Sequence, residues 1–189
     1  MQALPAYILA GGASRRFGSD KARVRVDAVP LIVRLTRRVE PHVSRVRVVA
    51  THTDEYADLN LVTVGDLVPH RGPLGGLYTA LCDAARHEWL LLLSCDLTEF
   101  RCEWLQALAA ARTSEARIVA FQSEQWQPFP GLYHRDLTVI VQEMLGRDEL
   151  SMRTLFQTVR AVSAPLPADW PTVPQANTPD ELDRYRRER

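Results

Sequence analysis

The segment "LAGGASRRFGSDKA", Leu9 to Ala22, sets two adjacent glycines, Gly11 and Gly12, ahead of the cations Arg15, Arg16 and Lys21. Glycine admits positive φ and lets the backbone approach a ligand, so that successive N–H groups face an anion. Positive charge in the same stretch suits a triphosphate. Two glycines alone would more readily shape a tight turn beside solvated arginines. The paired arginines and the lysine favour the phosphate reading. The spacing is neither Gly-x-x-x-x-Gly-Lys-Ser/Thr nor Gly-x-Gly-x-x-Gly, so the two commonest phosphate loops are excluded.

Two carboxylates could complete a site. The apolar run "WLLLLSCD" ends in Asp96, and a magnesium ion on phosphate oxygens takes only one or two protein carboxylates. Asp66 closes a second strand-like segment in "VTVGDLVPHRGPLGGL", where Gly72, Gly75 and Gly76 would again permit close contact with a ligand. Either aspartate could instead cap the helix that follows it. Three such features converging on one sheet edge favour a site. The five histidines share no metal-ligand spacing and no Gly-x-Ser-x-Gly elbow occurs, which disfavours histidine-based hydrolysis. Cys95 adjoins Asp96 but reads as a strand-end core thiol.

These residues need a scaffold that brings strand ends together. "AYILA", "RVRVVAT", "LVTVGD", "WLLLLSCD" and "ARIVAFQ" are near-continuously apolar, as in a sheet covered on both faces. Between them, "PLIVRLTRRVEPHV" puts Leu31, Ile32, Leu35 and Val39 on one helical face, with Pro30 at the start. "PLGGLYTALCDAAR" and "FRCEWLQALAAAR" carry helical spacing too. Past Gln122, "PGLYH" reads as a strand, and "RDLTVIVQEML" and "SMRTLFQTV" as helices. "SAPLPADWPTVP" reads as a surface crossing before a last short helix in "NTPDELDRYRRER". Alternating strands and helices imply an α/β fold with a mostly parallel sheet, whose ligands bind beyond the carboxyl ends of the strands. The loop after the first strand lies there.

Length favours one domain over residues 1–189. Basic and acidic residues both number 23, so no charge excess points to nucleic acid or a membrane surface. The longest apolar run, "WLLLL", is far short of a bilayer span. "SRRF" superficially matches a twin-arginine export signal, but "GSDKARVRVD" follows it instead of an apolar segment. Cys82, Cys95 and Cys102 form no Cys-x-x-Cys pair, and reduced thiols in a cytoplasmic protein are expected.

"LAGGASRRFGSDKA", then "GPLGGL" and "LLLSCD", resemble the nucleotidyltransferases of the molybdenum cofactor guanylyltransferase type. "FPGLYHRDL", "SMRTLFQTV" and "NTPDEL" extend the resemblance less specifically over nearly the whole chain. It implies a single three-layer, Rossmann-like nucleotidyltransferase domain that transfers GMP from GTP to the terminal phosphate of molybdopterin. Leu9, Ala10, Gly11 and Gly12 would meet the nucleotide, Lys21 its phosphates, Asp66 the guanosine and Asp96 a magnesium ion. Lys21, Arg16 and Asp96 would carry catalysis by stabilising charge at the α-phosphorus. Other cofactor-biosynthesis or acceptor proteins are the partners this role implies. The chain departs from the family pattern at Phe17, Ala28, Thr98 and Thr51-His52, the last bearing on guanine selectivity. Three further readings stand beside this one: CTP or another nucleotide as donor, a non-catalytic nucleotide-binding module, and a hydrolase using Cys95.

Overall fold

The computed structural model describes residues 4–10, 20–172, 174–176 and 178–187. Its first half runs β1 (Pro5–Leu9), β2 (Arg25–Val26), β3 (Val29–Pro30), α1 (Leu31–Val39), β4 (Arg45–Ala50), β5 (Thr63–Gly65), α2 (Gly72–Asp83) and β6 (Trp89–Ser94). The second half runs α3 (Cys102–Ala110), β7 (Ile118–Gln122), β8 (Trp126–His134), α4 (Leu137–Gly146), α5 (Met152–Thr158), β9 (Ala161–Pro165) and α6 (Pro179–Arg187).

Seven strands form one sheet in the order β5-β4-β1-β6-β8-β7-β9. Strand β8 pairs antiparallel with both β6 and β7, and every other pairing is parallel, so six strands point one way. This is the mostly parallel sheet expected from the apolar runs, in the Rossmann-like form that the family resemblance implies. Central β1 is buried along its whole length and β6 along all but its last residue, which explains why neither alternates in polarity. The connection β1–α1–β4 crosses the sheet in one direction and β5–α2–β6 in the other. Right-handed crossovers in opposite directions put α1 and α2 on opposite faces.

Helix α1 buries Leu31, Ile32, Leu35 and Val39, the face its spacing predicts. Two elements differ from expectation. The stretch read as a surface crossing begins inside β9, an edge strand parallel to β7 that ends at Pro165, where a missing N–H costs no ladder bond on the open side. The hairpin β2–β3 lacks its usual sequence signal, because its turn is Asp27-Ala28, with both residues at positive φ (51° and 64°), where Asn-Gly or Asp-Gly would mark a type I′ turn.

A main core fills the sheet faces, and a separate small cluster of Val26, Leu31, Ala176, Leu182 and Tyr185 joins the hairpin to α6.

Candidate functional site

Strands β1 and β6 are parallel neighbours, so the segments leaving Leu9 and Ser94 emerge together at the carboxyl edge. There Lys21 Nζ donates to Asp96 Oδ2 at 2.8 Å. Both side chains are nearly enclosed, 11% and 13% exposed. The residues are 75 positions apart in sequence, and the sheet brings them together as expected.

Each partner is held by its own surroundings. Lys21 begins a single 3₁₀ turn, Lys21–Arg23, capped by Asp20, whose Oδ1 accepts from the Ala22 N–H at 3.0 Å. The other oxygen of Asp20 accepts from the hydroxyl of fully buried Tyr56 at 3.0 Å. Burial, together with the charge of Asp20, raises the Tyr56 pKa far above the ordinary phenol range, so it stays a donor. Arg23 grips Asp58 through two bonds of 2.7 and 2.9 Å and the Glu55 carbonyl at 2.6 Å. The turn carrying Lys21 is thereby fastened to the loop after β4.

Asp96 follows Cys95, whose N–H donates to the Leu9 carbonyl at 2.9 Å. Its Oδ2 belongs to Lys21, while its buried Oδ1 has no hydrogen-bond partner among the described residues. A buried anionic oxygen left unsatisfied is costly, and such groups mark places where a ligand completes the structure. A carboxylate with one oxygen open at the carboxyl edge of the sheet has the chemistry to take a divalent cation. Among the described residues no cluster of three metal-ligating side chains occurs.

Asp66 lies at the end of β5, on the same edge. Its N–H donates to the Ala50 carbonyl at 2.7 Å. Its Oδ1 accepts from the Val68 N–H at 3.1 Å and lies 2.8 Å from the buried Thr79 hydroxyl. Asp66 therefore shapes the loop entering α2, and its Oδ2 is engaged by no described residue. Leu9 points its side chain into α2, so only its backbone could face a nucleotide: a Cβ on Gly76 would sit 2.8 Å from Leu9 Cδ2. Gly75 is likewise crowded by Arg71 and Val68. The close approach at these two glycines is made by the protein, not by a ligand. Ala10 donates its N–H to the Val49 carbonyl at 2.9 Å. Gly11, Gly12, Arg15, Arg16 and Phe17 lie outside the described residues.

Cys95 is buried, and burial with the neighbouring Asp96 charge pushes its thiol pKa well up. That is the core thiol its position suggests and the opposite of an activated nucleophile. Thr98 occupies a position where proline would be harmful here, because its N–H donates to the Pro174 carbonyl at 3.2 Å. Thr51 and His52 stand exposed just past the carboxyl end of β4.

Two features escaped sequence reasoning. Lys21 is the only lysine in a chain with 22 arginines, a signal present in the composition itself. A compact ammonium is evidently wanted where guanidinium serves everywhere else. Further along the sheet, a cavity of about 430 Å³ opens between the β7–β8 turn and α5. Trp126, Pro128, Met152 and Phe156 line it, with Glu124 and Arg153 also on its wall, and the two aromatic rings lie 5.0 Å apart. Because Gln122 pairs with Trp126, this cavity sits on the same carboxyl edge as Asp96, on the opposite side of β6 from β5.

An open α/β sheet that gathers a lysine, an aspartate with a spare oxygen and, further along, a cavity on one edge is the architecture of a nucleotidyltransferase. The chain belongs to the MobA-like NTP transferase domain family, whose model matches residues 6–163. It is 36% identical over 160 residues to a protein of Flavobacterium johnsoniae described as a probable molybdenum cofactor guanylyltransferase, covering 84% of this chain and 83% of that one. A Nostoc protein of the same description is 33% identical over 190 residues, covering 96% and 90%. Molybdopterin-guanine dinucleotide biosynthesis protein A from Archaeoglobus fulgidus superposes with a TM-score of 0.84 over 98% of both chains, at 17% identity, a likeness of fold.

Proposed function

We propose that this chain transfers GMP from GTP to the terminal phosphate of molybdopterin, forming the guanine dinucleotide cofactor and releasing pyrophosphate. The observation that carries this reading is the enclosed Lys21–Asp96 pair, with its open Oδ1, at the edge where the first strand delivers a glycine-rich loop. A metal nucleotide brings a cation for Asp96 and an anion for Lys21. The pair can then exchange partners without leaving either charge buried and alone.

In this reading an oxygen of the acceptor phosphate attacks the α-phosphorus, the bond from that phosphorus to the bridging oxygen breaks, and its electron pair leaves with pyrophosphate. The attacking oxygen is already anionic, so no side chain has to remove a proton. The protein's task is to hold two anions in line and to stabilise charge as it moves onto the leaving group. Lys21, set by Asp20 and Tyr56, grips the phosphates, with Arg16 and the backbone at Gly11 and Gly12 assigned to the same task, while Ala10, whose N–H is taken by the Val49 carbonyl, is assigned to the nucleoside side. Asp66 keeps the loop into α2 in place and offers Oδ2 to the guanosine. Magnesium bound at Asp96 would withdraw charge from the phosphate oxygens. The cavity walled by Trp126, Phe156 and Arg153 offers an aromatic face and a cation to the acceptor, across Asp96 from the nucleotide.

Pyrophosphate release measured with GTP, CTP, ATP and UTP, each with magnesium and molybdopterin, tests the reading. Turnover that prefers GTP is expected. Preference for CTP would keep nucleotidyl transfer and overturn the guanine assignment, an outcome that exposed Thr51 and His52 at the end of β4 make specific. Binding of nucleotide without turnover would leave a binding module instead.

A further inference from the structure

We infer that helix α6 clamps the active pair, with Tyr185 as a positioning residue for Asp96 and Lys21. The inference rests on the function proposed above, because it assigns this pair to the chemistry.

The backbone just after Asp96 is bound to the segment that leads into α6. Ala176 donates its N–H to the carbonyl of Asp96 itself at 3.0 Å. Leu97 and Gln175 form an antiparallel bridge, and Thr98 donates its N–H to the Pro174 carbonyl. The helix then adds side-chain contacts to the same loop. The Tyr185 hydroxyl lies 2.9 Å from both the Thr98 carbonyl and Glu99 Oε1, so its single hydrogen serves these two acceptors. Arg38 of α1 completes the group, donating to the Thr98 carbonyl at 3.0 Å and pairing with Glu99 at 2.8 Å.

The same helix also holds the other partner's side. Leu182 and Tyr185 pack with Val26 of β2 and Leu31 of α1 in a cluster separate from the main core. Arg186 donates to the Arg25 carbonyl at 2.7 Å. Arg25 follows the Lys21–Arg23 turn by two residues, so α6 bridges the segment behind Lys21 and the segment behind Asp96. Neither β1 nor β6 fixes the distance between those two segments once they have left the sheet. Helix α1 reaches both sides, through the Leu31 N–H on the Val24 carbonyl at 2.9 Å and Arg38 on Thr98, and α6 adds the second tie, whose loss would loosen the pair while the sheet stays intact.

The experiment compares wild type with Tyr185→Phe, which keeps the ring and deletes the hydroxyl. Because Lys21 is the only lysine, an amine-acylating reagent read by mass spectrometry reports its exposure against the terminal amine as internal reference. We expect Lys21 acylation to rise about fivefold in Tyr185→Phe, the scale of one net hydrogen bond, and kcat to fall by a similar factor with the nucleotide KM unchanged. Asp96→Asn sets the acylation rate of a lysine whose bond to the carboxylate has been weakened to one with a neutral amide. A merely structural tyrosine would lower the unfolding temperature and leave Lys21 acylation in the folded protein at the wild-type rate, which would overturn the inference. If wild type transfers no nucleotide at all, the proposed function fails while the acylation result still judges the clamp. Should Tyr185→Phe not fold, Arg186→Gln tests the same clamp from the hairpin side, with the same two outcomes.

Discussion

Asp96→Asn separates a carboxylate kept for a ligand from one kept for stability. In wild type its Oδ2 pairs with Lys21 at 2.8 Å and its Oδ1 is buried without a partner among the described residues. Removing one member of a fully buried pair costs about 3–5 kcal/mol, while an exposed pair is worth about 0–1 kcal/mol. With 11% and 13% of the two side chains exposed, the loss lies towards the upper range. It is offset because the substitution also removes the charge that makes the unpartnered oxygen expensive, a term of about 1–3 kcal/mol. The asparagine oxygen still accepts from Lys21. The net effect is a loss of about 1–2 kcal/mol in stability.

Activity should respond on a different scale. An electrostatic contact made to the reacting phosphates is worth roughly a hundred- to a thousandfold in kcat. Urea unfolding gives the first quantity, and pyrophosphate release per folded molecule gives the second. A variant that loses 3 kcal/mol or more yet turns over within about threefold of wild type would refute the argument, because Asp96 would then be an anchor for Lys21 and nothing else.

Three other outcomes follow from the same structure. Ala28→Gly relieves a left-handed residue at φ 64° and should stabilise the protein by about 1 kcal/mol, raising the thermal midpoint by roughly 2–4 °C without changing turnover. Iodoacetamide at pH 8–9 should modify half-buried Cys82 and Cys102 and spare Cys95, whose thiol pKa is raised by burial; Cys95→Ser should keep full turnover, and loss of activity would revive a nucleophilic role. Tyr7, buried against Asp83, is pushed up to about 12, so the folded state holds its proton more tightly than the unfolded chain does. Its contribution is complete below about pH 10 and is lost as pH climbs towards 12, which unfolding midpoints across that range will show flattened in Tyr7→Phe.

The parts of the molecule legible in its sequence are those fixed by local pattern. Unbroken apolar runs mark β1 and β6 because both faces of a central strand are covered, and their last residues therefore point at the site edge. Asp96 and Lys21 could be chosen separately on that ground. What local pattern cannot carry is contact between distant segments. Tyr56 reaches Asp20 from the loop after β4, and Tyr185 reaches Thr98 across 87 positions. Strand β9 is hidden for another reason: an edge strand ending in proline looks, residue by residue, like the irregular chain after it.

The glycines teach the converse. Gly75 and Gly76 have the composition of a ligand-binding loop, yet their missing side chains make room for Val68, Arg71 and Leu9. That packing seats α2 directly against β1, and Asp66 and Thr79 lock the loop that enters it. A glycine pattern thus reports close approach without saying what approaches. Charge resolves the ambiguity at the first loop and not at the second. Behind β1 the glycines are followed by the only lysine of the chain, fixed 2.8 Å from a carboxylate with an oxygen to spare, and a bare packing role would require neither.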